Sequence, residues 1–228
     1  MKHRAVVLLV AILAGCSTPK KEEGPPRPIR FAVIGAPEVG SDDADLALAV
    51  TKLSRETGLD FVLVPGPVLA KDATASSLEL VREDLGQIAP PVYIGFAAVV
   101  SASSSTLKAE EILTALEKLG PGPEHAVSYE RTPPRQPRVL VRVAGPDGKE
   151  TAGTAPEGGK LVKLGGIGDA DMTVRLGDTL ALEPRELRAP ALSRSKTFLL
   201  VTIYPGRTEV QPVALEGQDP PGIDVRTE

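Results

Sequence analysis

Histidine is nearly missing from this chain and tryptophan is missing altogether. There are two histidines, one cysteine, no tryptophan and 3% aromatic residues in 228. Two imidazoles cannot build a metal centre that uses several of them. A lone cysteine cannot form a disulfide within the chain, so stability has to come from packing. With 42% hydrophobic residues and few rings, that core is mainly Val, Leu, Ile and Ala. An excess of positive charge is also lacking: 26 Lys and Arg stand against 30 Asp and Glu, a net charge of −4. A mildly acidic chain without a basic cluster argues against nucleic acid as a partner. No apolar run is long enough to span a bilayer as a helix.

What is present begins at the amino terminus. Met1-Lys2-His3-Arg4 is basic, Ala5–Ala14 is apolar, and Gly15-Cys16 comes next. A short basic segment, a brief apolar stretch and small residues before a break describe a secretory signal. Leu13-Ala14-Gly15-Cys16 resembles the lipobox of bacterial lipoproteins. That resemblance implies a signal peptide over 1–15, cleavage before Cys16, and acyl chains of the palmitate kind on Cys16. The plainer account is an ordinary signal peptide with an incidental cysteine. Several acyl chains on one residue anchor stably where one is marginal. Ser17, rather than Asp, after the cysteine suggests the outer membrane by the bacterial sorting rule, with the domain facing the periplasm. Losing Lys2 and Arg4 leaves 24 basic against 30 acidic residues, a net charge of −6.

Residues 16–29 are polar and Pro-rich and read as a tether. Residues 30–217 are long enough for one domain around one core, and 218–228 read as a flexible tail. Phe31–Gly35 and Phe61–Val64 are short apolar runs closed by Gly and Pro, as expected of parallel strands buried on both faces. Pro91–Phe96 is a third such strand. Ser41-Asp42-Asp43 supplies a helix start, Leu46, Val50 and Leu53 share a helical face, and Gly58 stops that helix. A second helix is expected near Ser76–Gln87 and a third over Thr106–Leu119. The β-α-β-α-β order calls for a parallel sheet. The second half is β-rich and expected to be mostly antiparallel. Strand candidates there are Ala126–Glu130, Arg138–Ala144, Leu161–Leu164, Thr173–Leu176, Thr179–Leu182, Phe198–Tyr204 and Glu209–Leu215.

The first half resembles the calcineurin-like metallophosphoesterases. In that family one strand ends in Asp-x-His-x-Gly, the next in Gly-Asp, and the third in Gly-Asn-His-Asp. Here Phe31-Ala32-Val33-Ile34 leads into Gly35-Ala36-Pro37-Glu38-Val39-Gly40. Ala36 takes the aspartate's place and Glu38 the histidine's. Phe61–Val64 leads into Pro65-Gly66-Pro67, with Pro67 at the bridging aspartate. Pro91-Val92-Tyr93-Ile94-Gly95-Phe96 leads into Ala97-Ala98-Val99-Val100, so Ala98 and Val99 fall where Asn and His are needed. The family's Gly-His-x-His has no counterpart. The resemblance implies an α/β fold of two stacked sheets with flanking helices, trimmed so that helices cover mainly the first sheet. It also implies a degenerate member that has lost its metal ligands. A two-metal phosphoesterase holds cations about 3.5–4 Å apart on several carboxylate, imidazole and amide ligands. Ala36, Pro67, Ala98 and Val99 offer none, so no catalytic residue, metal or other cofactor is assigned.

The remaining polar residues have plain accounts. Asp42, Asp43 and Asp45 with Glu38 form either an oxygen-ligand site for Ca²⁺ or Mg²⁺ or an ordinary acidic helix start, the latter preferred. Asp169 and Asp171 stand after glycines in a loop that lacks the bidentate glutamate of a calcium loop. His125 has no Gly-x-Ser-x-Gly elbow to accompany it. Arg138 and Arg142 share a strand face, expected to be solvated. Tyr93, Tyr129 and Tyr204 read as core or interface residues. The function expected is therefore non-catalytic binding or assembly at the cell envelope. The partners are the membrane, through Cys16, and an unnamed protein or small molecule. The competing expectation is a phosphoester hydrolase with a rebuilt carboxylate site at Glu38 and Asp42. A structural envelope protein with no ancestral active site is a third.

Overall fold

The computed structural model describes residues 27–95, 107–116, 129–133, 139–145, 159–166 and 169–226. Two six-stranded sheets are stacked, with helices on the outer face of one. In the first, β1 (Ile29–Val33), β2 (Phe61–Val64) and β3 (Val92–Ile94) are parallel neighbours. On the other side of β1 lie β10 (Thr197–Tyr204), β11 (Arg207–Ala214) and β12 (Ile223–Arg226), each antiparallel to its neighbour. The order is β12-β11-β10-β1-β2-β3. The second sheet runs β4 (Tyr129–Arg131), β5 (Val139–Val143), β6 (Lys160–Leu164), β7 (Met172–Gly177), β9 (Glu186–Pro190), β8 (Ala181–Glu183).

Strand β2 shows why these elements form. All four of its residues are buried, because alternate side chains enter different layers. Ala32 and Val62 face the helices, beside Leu46, Ala49 and Val50 of α1 (Ala44–Leu53) and Val81 and Leu85 of α2 (Ala75–Gly86). Ile112 and Leu116 of α3 (Ala109–Leu116) complete that layer. Phe31, Phe61 and Tyr93 face the second sheet, against Val139, Val141, Val162, Met172 and Val174. Phe31 is in register with Phe61, and their rings stack at 4.8 Å. Tyr93 meets Phe61 edge-on at 6.0 Å. Three of the chain's seven aromatic residues (four Phe, three Tyr) therefore form one file across the parallel strands. Such ring pairs add about 0.5–1.5 kcal/mol beyond area burial.

Both sheets, the parallel β1-β2-β3 unit and, among the described residues, the helical cover on the first sheet agree with the reading of the sequence. Antiparallel pairing of the second half holds for β4-β5, β8-β9, β10-β11 and β11-β12, whereas β5-β6, β6-β7 and β7-β9 are parallel. The β6–β7 return is too short for the long helix that usually announces parallel pairing. The β6–β7 return turns at Gly165 and Gly166, both at positive φ, and needs only residues 165–171. The last residues are not all tail, since β12 pairs with β11 from Val210↔Ile223 to Arg207↔Arg226. Arg142 does not lie on a solvated face. It is 4% exposed and its Nε donates to Glu130 Oε1 at 2.6 Å. Arg138, His125 and the anchor region lie outside the described residues. Among the described residues no helix is long and apolar enough to cross a membrane.

Candidate functional site

The loops at the carboxyl ends of β1 and β2 close on each other through their backbones. Glu38 N donates to Pro67 O at 3.2 Å, Val39 N to Val68 O at 3.0 Å, and Ala70 N to Val39 O at 3.0 Å. Gly95, beyond β3, donates to Val64 O at 2.9 Å. Three of the positions singled out from sequence, Ala36, Glu38 and Pro67, therefore do come together. Ala98 and Val99 lie outside the described residues.

What fills the junction is packing. Ala36 is 1% exposed. A Cβ at Gly66 would sit 2.5 Å from the Ala36 Cβ, and one at Gly35 only 1.8 Å from the carbonyl oxygen of Pro190. Contacts that short do not occur between real side chains, so both positions are glycine because backbone passes through the space. Ala36 and Pro67 present no side-chain lone pair. Among the described residues Glu38 is the one carboxylate of the joined β1 and β2 loop ends, and one carboxylate cannot supply the ligand set of two bridged cations. The described residues therefore do not fit the dinuclear centre that the family resemblance implies.

Glu38 itself is held in place. Its φ is 50°, a left-handed conformation that is uncommon outside glycine and costs about 1–2 kcal/mol. Its Oε2 accepts a hydrogen bond from Ser193 Oγ at 2.5 Å. Ser193 belongs to a one-turn helix, α4 (Leu192–Ser195), at the exit of β9, and its backbone N–H approaches Ala36 O at 3.4 Å. Glu38 faces a cleft of about 260 Å³ whose other lining residues are Leu176, Gly177, Asp178, Ala191 and Arg194. Both sheets contribute to it: β1 through its loop, β7 through its end, and β9 through α4.

The other acids expected nearby have separate partners. Asp42 Oδ1 accepts from Ala44 N at 2.8 Å, at the start of α1. Asp45 pairs with Lys196. Asp43 meets Asp84 of α2, whose carboxyl is pushed up to about 6, first by burial, then by the charge of Asp43 and the hydrogen bond with it, then by Glu83. Among the described residues no three His, Cys, Asp or Glu side chains gather where a metal ion could be held. A rebuilt carboxylate centre at Glu38 and Asp42 needs such convergence and finds none among them.

Asp171, Tyr93 and Tyr204 have structural partners. Asp171 Oδ2 accepts from Leu161 N at 2.8 Å and its Oδ1 meets Lys160 Nζ at 2.8 Å, which fastens the β6–β7 turn. Tyr93 is a core ring, its hydroxyl pushed up to about 12 by burial. Arg207 stacks on the Tyr204 ring at 4.7 Å. Ser193, Arg194, Leu176 and Asp178 escaped notice in the sequence. Ser193 stands 155 residues from Glu38, and no local pattern marks any of the four.

No protein-family model matches this chain, and no curated protein matches it in sequence. Among solved structures, it is similar to a conserved uncharacterized protein of Streptococcus pneumoniae TIGR4, described as a predicted phosphoesterase. Identity is 10%, the TM-score 0.43, and the match covers 88% of this chain and 99% of that one. It is also similar to Vps29 of Chaetomium thermophilum, at 11% identity and a TM-score of 0.42, covering 88% of this chain and all of that one. At that overlap the likeness adds nothing about chemistry, and the site is read from this chain's own residues.

Proposed function

We propose that this chain is a lipoprotein of the cell envelope whose domain binds a partner and does not hydrolyse phosphoesters. Acylated Cys16 would tether the domain to the outer membrane on its periplasmic side. The observation that carries the non-catalytic role is the closure of the β1 and β2 ends: Ala36 is buried against Gly66, and Glu38 and Pro67 are joined through backbone. Reactive centres on α/β sheets are built in the crevice beyond the carboxyl ends of strands. Among the described residues apolar packing occupies the β1 and β2 ends, and a cleft stays open beside Glu38. An open, charged cleft next to a filled centre suits recognition better than turnover.

The test has two arms. The purified domain is dialysed against Mn²⁺ and its metal content measured, then assayed on bis(p-nitrophenyl) phosphate. The binding role predicts no stoichiometric metal and no turnover above buffer. Bound metal together with turnover abolished by Glu38→Ala would overturn it. Anchoring is checked separately by labelling cells with a palmitate analogue. Label should enter the wild-type protein and be lost in Cys16→Ser; equal labelling of both rejects the anchor.

A further inference from the structure

The cleft beside Glu38 has a chemistry of its own, and its use in recognition rests on the non-catalytic binding role. Two carboxylates, Glu38 and Asp178, share its lining with one guanidinium, Arg194, and one exposed aliphatic side chain, Leu176. Leu176 is 41% exposed, and only Leu48 is otherwise a large exposed apolar residue among those described. Charged groups around the rest of the second sheet are largely matched: Arg175 to Glu186, Arg188 to Glu183 and Glu186, Lys160 to Asp171. Glu38, Asp178 and Arg194 form no ion pair among the described residues. Glu38 accepts from Ser193 at Oε2 and lines the cleft.

We propose that this cleft receives a lysine side chain of a partner polypeptide. The ammonium group would lie between Glu38 and Asp178, the aliphatic stem along Leu176, and a main-chain carbonyl beside Arg194. Each lining group then has an opposite to meet. An ammonium donates three hydrogen bonds and accepts none, which suits carboxylates. Its four-carbon stem covers apolar surface while the charge stays polar. A divalent ion would use the carboxylates but neither Leu176 nor Arg194. An anion would meet two carboxylates for one guanidinium. A cavity of about 260 Å³ takes one side chain rather than a folded element. The net charge of −4 on the whole chain favours encounter with a basic partner.

The test uses Nα-acetyl-lysine as the probe and Nα,Nε-diacetyl-lysine as the control, titrated into the ¹⁵N-labelled domain. The expected result is saturable shifts at the amides of 38, 176–178 and 191–194, with a dissociation constant on the order of 1 mM. The diacetylated control, which lacks the ammonium, should leave those amides unmoved. Glu38→Gln should weaken binding at least tenfold. Asp178→Asn, at an exposed position that the fold does not depend on, should weaken it about threefold or more. Absence of shifts at these amides, equal shifts with the control, or unchanged binding in both variants would overturn the lysine site while leaving the non-catalytic role standing. Mn²⁺ that displaces the probe and brings phosphodiester turnover would overturn both.

Discussion

Two faces of one loop contrast within a few residues. At Ala36 the β1 end is apolar, closed and glycine-dependent; at Glu38 it is polar, strained and open. On the Ala36 side, Gly66 packs against Ala36 and the Pro190 carbonyl against Gly35. On the Glu38 side, a serine from a remote helix aims a carboxylate into a cleft. One loop thus combines a tightly packed position with an open, polar one two residues away.

The contrast can be broken first at its foundation. Phe61→Ala removes the middle ring of the file between the sheets and should destabilise the domain by about 3–5 kcal/mol, read as a lowered urea midpoint. A loss under about 1 kcal/mol would mean that the two sheets are not packed through this file. Gly35→Ala places a methyl group against the Pro190 carbonyl and should cost about 3 kcal/mol, because backbone on both sides has to move. If that variant is as stable as wild type, the closed side is not closed.

The helix-side acids sharpen the contrast from another direction. Asp84, 8% exposed against Asp43, has its carboxyl raised from about 3.8 to about 6 in the fold. The folded state therefore holds this proton more tightly than the unfolded chain does. That contribution is complete below about pH 4 and is lost as pH rises through about 6. Asp84→Asn should accordingly match wild type below pH 4 and exceed it by about 1–2 kcal/mol above pH 7, measured as thermal midpoints across pH. A wild type that gains relative to Asp84→Asn with rising pH would reverse the assignment. The smallest effect is expected at Ser193→Ala, where losing one hydrogen bond to Glu38 should cost about 1 kcal/mol or less. Binding of the lysine probe should nevertheless weaken, since Glu38 loses its orientation. A Ser193→Ala domain that binds as well as wild type would show that the serine only packs.

Much of this was legible in the residues. The runs at Phe31–Gly35, Phe61–Val64 and Pro91–Phe96 announce buried parallel strands because both faces are apolar. The meeting of Ala36 with Gly66, and of Glu38 with Pro67, is a consequence of strand ends that must lie side by side. Strand β9 was not legible: Glu186–Pro190 alternates only weakly and ends in proline, which usually marks a loop. Parallel pairing in the second sheet was hidden as well. Sequence patterns signal parallel pairs by the helix between them, and a return as short as 165–171 leaves no room for a long one. The rim of the cleft was hidden for a different reason. Leu176, Asp178 and Arg194 meet Glu38 only through the stacking of the two sheets, a tertiary event with no local sequence signature.

The central claim is that the β1 and β2 ends are filled rather than metal-bearing, and crystals soaked in Mn²⁺ test it most directly through anomalous scattering. A filled junction predicts no anomalous peak within bonding distance of Glu38 or of the Ala36–Gly66–Pro67 junction. Two strong peaks there, about 3.5–4 Å apart as in a two-metal centre, would contradict it.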